Sequence, residues 1–197
     1  MSSLGKNKRI NKLNNEYKRM SQMSGWSLSS NFVKGDGPVD ADIMIIGQAP
    51  GRNEDIEGKP FIGMSGKMLN ELLSLSGIDR NNVYITSTVQ FFPPKNRMPT
   101  KKEVEICAPL LKKQIEIVDP KIVITLGSLA ANTTIGIENI MHNHGLLTHD
   151  GDRYYFSTLH PAAAVRLKKN VPIIKEDFKR LGTIVKRIET MKNKRSK

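Results

Sequence analysis

Short apolar runs closed by turn residues recur along the chain, and between them the apolar positions space out to a helical period. DIMIIG (Asp42–Gly47), VYITST (Val83–Thr88), KIVITL (Lys121–Leu126) and RYYFSTL (Arg153–Leu159) have the length and side-chain content of buried strands. SGKMLNELLSLSG (Ser65–Gly77) has a serine start and a glycine stop and predicts a helix. TKKEVEICAPLLKKQIEIV (Thr100–Val118) predicts a second, with Pro109 expected to kink it. GSLAANTTIG (Gly127–Gly136) and PIIKEDFKRLGTIVKRIETM (Pro172–Met191) predict two more. Strands alternating with helices predict an α/β fold, a mostly parallel sheet covered on both faces. No internal repeat, low-complexity block or linker divides the chain, so residues 1–197 read as one domain.

Composition narrows the class. A chain of 197 residues with 38% hydrophobic and 25% charged residues is long enough for one good core and reads as a soluble globular protein. No apolar run approaches the ~20 residues of a membrane span, and the lysine-rich start lacks the apolar segment of a signal peptide, which points to the cytoplasm. The single Cys107 excludes an internal disulfide and cannot alone form a cysteine metal cage; it reads as a small buried hydrophobe. The net charge of +12 favours a polyanion such as nucleic acid or an anionic membrane surface. Much of that excess lies in the termini, KNKRINKLNNEYKR (Lys6–Arg19) and KRIETMKNKRSK (Lys186–Lys197), which read as solvated helix faces or frayed tails across 1–19 and 186–197.

Three loops that follow strands carry the candidate chemistry, because strand ends of open α/β sheets form ligand crevices. In the first, GQAPG (Gly47–Gly51) lets the backbone turn sharply and approach a ligand, and Gln48 offers an amide; a plain turn fits the same residues. Phe61 in the same loop is either a stacking platform for a base or a core phenylalanine, and the helix start at Ser65–Gly66 offers N–H groups for a phosphate. The second loop, STVQFFPPKNRMPT (Ser87–Thr100), is either a rigid connection with solvated tips or a phosphate-contacting rim through Lys95 and Arg97. In the third, LHPAAAVRLKK (Leu159–Lys169), His160 follows a strand directly and precedes Arg166, Lys168 and Lys169. It is the best single catalytic candidate, since imidazole can donate to an anion that develops at neutral pH. His142, His144 and His149 lack metal-ligand spacing.

Four blocks in order, GQAPGRNEDIEGKPFIGMSGKMLNELL, VYITSTVQFFPPKNRMPTKKEVEIC, IVITLGSLA and TLHPAAAVR, resemble the uracil-DNA glycosylase superfamily, and most of all its iron-sulfur family 4, over about Lys34–Arg166. The resemblance implies a three-layer α/β/α sandwich with a central, largely parallel four-stranded sheet. It implies DNA, single- or double-stranded, as partner to a monomer, and a target base flipped into a pocket. By position, Phe61 would stack on the base, Gly47, Gln48, Ala49, Pro50 and Gly51 would line the pocket, and His160 would stabilise the departing base anion. The HPAAAVR segment would enter the DNA groove, with Arg166 on or near the backbone; beside it, Lys168, Lys95 and Arg97 are expected as DNA contacts from their own charge and place in the loops.

This chain departs from the family pattern at defined positions. Of the four cluster cysteines the resemblance implies, Met20 and Met23 stand at two, Phe91 at the third, and only Cys107 remains; no cluster and no other cofactor is expected, with apolar packing in its place. Gln48 stands where the family has an acidic residue, and an amide cannot act as a base or stabilise a cation by charge; Glu54 or Asp55 could compensate. Ser87 stands where the family has the asparagine that reads the uracil edge, which leaves selectivity for uracil open. The leading expectation is a cluster-free, monofunctional glycosylase for uracil or another deaminated base, and the alternative is a DNA-binding homologue with weak or no catalysis. A generic nucleotide-binding enzyme lacks support, since no GxxxxGK[ST] loop is present.

Overall fold

The computed structural model describes residues 2–23 and 31–195; the side chains of 21–23, 189 and 191–195 lie outside that description. The strands are β1 (Ile43–Gly47), β2 (Val83–Ser87), β3 (Ile122–Leu126), β4 (Leu146–His149) and β5 (Tyr154–Thr158), in the spatial order β2-β1-β3-β5-β4. All pairs are parallel except β4 with β5. The sheet therefore has five strands where four were expected. The extra strand, LLTH, is an edge strand whose residues are all at least partly exposed, so it lacks the continuous apolar run that marks the other four. It joins β5 through a tight turn in which the Asp150 carboxylate accepts from the N–H groups of Asp152 and Arg153, both at 2.9 Å.

The helices are α1 (Ser3–Met23), α2 (Arg52–Glu57), α3 (Met64–Ser76), α4 (Lys101–Val118), α5 (Ser128–Ile135), α6 (Ile140–Asn143), α7 (Pro161–Arg166) and α8 (Val171–Arg195). Alternate residues of β1 face opposite layers. Ile43 and Ile45 pack with Leu69 of α3 and Phe178 of α8, whereas Met44 and Ile46 pack with Leu111 of α4 and Leu13 of α1. Burial on both faces explains why the strands read as unbroken apolar runs, and each fully buried leucine or phenylalanine contributes roughly 2 kcal/mol. The basic N-terminal segment is a packed helix: Ile10, Leu13 and Tyr17 of α1 are buried, and Glu16 pairs with Lys113 of α4 at 2.9 Å. Helix α4 starts on a reciprocal cap between Thr100 and Glu103 and continues through Pro109. Among the described residues no helix is long and apolar enough to cross a membrane.

β1 is flanked by β2 on one side and β3 on the other, so successive connections leave it in opposite directions. Gly47 lies opposite Ser87, and Leu126 opposite Thr158, which brings the C-terminal ends of the four parallel strands to one edge. A crevice at such a switch point is where doubly wound sheets bind ligands.

Candidate active site

A cavity of about 630 Å³ opens at that edge, and its wall takes residues from all three loops, among them Gln48, Phe61, Ser87, Asn96, His160 and Arg166. The first loop is tied to the sheet by Thr88, whose N–H and hydroxyl both donate to the Gly47 carbonyl at 2.9 Å, and by the Val89 N–H on the Gln48 carbonyl at 3.1 Å.

Phe61 occupies the left-handed region, φ 55°. A bulky residue there costs on the order of 1–2 kcal/mol and persists only where its surroundings hold it. Two glycines make room: a Cβ on Gly47 would come within 2.6 Å of the Phe61 ring, and one on Gly66 would overlap the Phe61 carbonyl. The buried Glu54 carboxylate accepts from the N–H groups of Ile62 and Gly63 on one oxygen, at 3.0 and 2.7 Å, and from that of Gly51 on the other, at 3.0 Å. It thereby ties the end of the GQAPG turn to the Phe61 turn. The carboxylate thus takes the N–H of Gly63, just before α3, and not those of Ser65 and Gly66 that were expected to serve a phosphate.

His160 follows β5 and caps α7, with its Nδ1 accepting from the Ala162 N–H at 3.1 Å. An accepting Nδ1 leaves the ring proton on Nε2, the tautomer that can donate. Gly127, at φ 85°, allows the β3–α5 turn to approach, since a Cβ there would lie 3.1 Å from the His160 Cβ. Burial, and then the positive charge of Arg166, lower the His160 pKa from 6.5 to about 4, with Glu54 opposing. At neutral pH the ring is an uncharged donor. It faces Phe61 with ring centroids 5.7 Å apart and planes 25° from parallel.

The other expected residues divide. Gln48, Ala49, Pro50, Gly51, Ser87 and Arg166 lie in the cavity wall, and Gly47 sits behind the Phe61 ring. Asp55 turns elsewhere, its Oδ1 accepting from the Asn31 N–H at 2.6 Å. The Arg97 guanidinium is engaged by both oxygens of Glu103, at 2.6 and 2.7 Å, a pairing that holds the Glu103 carboxyl down at about 2. Lys95 and Lys168 are exposed and outside the wall. Residues in the wall that the sequence reading passed over include Asn96 and the exposed Met64, Met98 and Met141. The available signal was for Asn96, an amide between Lys95 and Arg97 just after the double proline, where a turn at positive φ is common for asparagine.

Where the resemblance would place an iron-sulfur cluster, Tyr17 stacks on Phe32 at 5.4 Å and Phe32 meets Phe91 at 5.6 Å. Cys107 is fully enclosed beside them, and burial pushes its thiol up to about 12. Met20 packs against the same group, whereas the Met23 side chain lies outside the described residues. Aromatic rings and one protonated thiol do not fit a group that needs about four thiolates. Among the described residues no set of three or more His, Cys, Asp or Glu side chains is grouped to hold a metal.

Fold and cavity together define an α/β domain with a phenylalanine and a neutral imidazole facing one pocket at the strand ends. The family model of the Uracil DNA glycosylase superfamily matches residues 34–182, and the chain belongs to that superfamily. It is 38% identical over 168 residues to the type-4 uracil-DNA glycosylase of Sulfurisphaera tokodaii, covering 79% of this chain and 76% of that protein. It is also 38% identical over 176 residues to the type-4 enzyme of Saccharolobus solfataricus, covering 84% and 82%. To that of Archaeoglobus fulgidus it is 34% identical over 165 residues, covering 79% and 82%.

Proposed function

We propose that the chain is a monofunctional DNA glycosylase of base excision repair, acting as a cytoplasmic monomer. It takes uracil or another deaminated base out of the DNA stack into the cavity and hydrolyses its N-glycosidic bond, leaving an abasic site. The observation that carries this reading is the pairing of Phe61 with a neutral, Nε2-protonated His160 across one cavity.

The chemistry follows from where charge develops. As the bond from the sugar C1′ to the base nitrogen breaks, its electron pair stays with the base, whose exocyclic carbonyl oxygen takes on negative charge, and the sugar becomes cationic. A donor fixed at that oxygen acts mainly in the transition state, and His160 supplies one without first having to lose or gain a proton. Phe61 offers its face to the extruded base. Water then adds to C1′ and its proton passes through solvent to the departed base anion, which leaves as the neutral base; the Gln48 and Asn96 amides in the wall can orient that water but cannot take its proton. Ser87 offers a hydroxyl to the base edge. Lys95, Arg166 and Lys168 contact phosphates, and Arg97, paired with Glu103, anchors the second loop. No cluster takes part, and the aromatic group around Cys107 fills its place.

Glu54, the one carboxylate in the wall, already accepts three N–H bonds, which favours a second reading: a lesion-binding homologue with weak catalysis. Labelled oligonucleotides bearing one uracil, single-stranded and opposite G or A, separate the two. Alkali-labile breaks at the uracil that vanish in His160→Ala are expected. Tight binding with no breaks, with hypoxanthine and xanthine tried in the same way, would establish the second reading.

A further inference from the structure

The stacking ring is gripped from two sides, and one of the grips lies outside the cavity. Arg80, in a short helical turn just before β2, donates from Nη2 to the carbonyls of Pro60 at 3.2 Å and Phe61 at 3.4 Å, and from Nη1 to Asn70 of α3 at 3.0 Å. Its guanidinium is not part of the cavity wall. The peptide that joins Phe61 to Ile62 is held at both ends, its carbonyl by Arg80 and its N–H by Glu54, which also accepts from the Gly63 N–H.

We propose that Arg80 is a positioning residue for base excision: it fixes the left-handed turn at Phe61, and through it the placement of the ring opposite His160. The inference rests on reading the cavity as a base pocket. Three observations converge on it. The turn holds a bulky residue at φ 55°, a conformation it abandons unless restrained. The carbonyls on one side of the turn and the N–H groups on the other are each bound by an ionisable side chain from a different element. Both neighbours that would obstruct this placement, Gly47 and Gly66, lack a side chain. A planar fork suits the task, since one end can reach two successive carbonyls while the other is held on α3; a lysine ammonium lacks that geometry.

The test combines catalysis with a probe that needs none. With four histidines in the chain, the His160 ring protons are resolvable by NMR, and the Phe61 ring current acts on them. In Arg80→Ala those resonances are expected to move in the direction seen in Phe61→Ala. Single-turnover excision is expected to slow about 10- to 100-fold, as for a misplaced contact, with affinity for undamaged DNA unchanged. Arg80→Lys is expected to remain impaired. His160 resonances at their wild-type positions in Arg80→Ala, full recovery by lysine, or equal losses of excision and undamaged-DNA affinity would each overturn the proposal. A wild type that leaves DNA containing uracil, hypoxanthine or xanthine intact refutes the glycosylase reading instead, and the resonances alone then decide the role of Arg80.

Discussion

The pocket around Phe61 and the enclosed group around Cys107 lie at opposite faces of the same sheet end, and they have been treated in opposite ways. In the pocket, groups are kept in costly states: a phenylalanine at positive φ, an imidazole whose pKa is pushed down to about 4, and a buried carboxylate tied by three N–H bonds. Around Cys107, Phe91 stands at one of the positions that the resemblance assigns to a cluster ligand; its ring meets that of Phe32 at a tilt, and Phe32 stacks on Tyr17. The contrast teaches that the two regions are separable. Under the proposed function the pocket supplies chemistry and tolerates strain, whereas the rings around Cys107 supply cohesion.

The largest effect that could break this comparison is on stability. Phe91→Ala would leave a cavity among closely packed apolar side chains and is expected to cost about 3–5 kcal/mol, read by chemical denaturation. A loss within the range of a surface substitution would mean that the rings do not carry the fold there. Next comes His160→Ala, expected to slow excision by about 3 kcal/mol in transition-state stabilisation while DNA affinity stays the same. Equal losses in rate and affinity would make His160 a DNA contact.

The pH dependence sharpens the electrostatic side. Because the folded pKa of His160 lies at about 4, below the 6.5 of the unfolded chain, the unfolded state takes up the proton first as pH falls. His160 therefore has no effect on stability well above pH 6.5, and destabilises progressively as pH drops from 6.5 towards 4. Urea unfolding of wild type and His160→Gln across that window should show the wild type losing more. The excision rate, in contrast, should not drop as pH rises through 6.5, since the neutral ring is the donor; a rate that falls there would assign the work to imidazolium. The smallest effect is expected from Ser87→Asn, which should favour uracil over other deaminated bases by about 1 kcal/mol if residue 87 faces the base edge. An unchanged substrate profile would place it elsewhere.

Local pattern revealed what is locally encoded. The four buried strands, helices α3, α4, α5 and α8, and the three loops at the strand ends all follow from periodicity and caps, and the ordered motifs brought Phe61 and His160 to one pocket before any coordinates. The half-exposed β4 carried no apolar run, and the short helices α2 and α7 are hidden inside loops because one or two turns have too few residues to show a period. Glu54 and Asp55 are neighbours in sequence, but successive residues of α2 point about 100° apart, so one enters the wall and the other meets Asn31. The partners of Phe91 come from α1 and from Phe32, far away in sequence, and no local spacing announces them.

The most direct test is single-turnover excision from an oligonucleotide with one uracil, using protein shown by elemental analysis to contain no iron. The account predicts alkali-labile breaks at the uracil, at a rate independent of added iron and sulfide. Breaks that appear only in an iron-bearing fraction, or no breaks with uracil, hypoxanthine or xanthine, would contradict it.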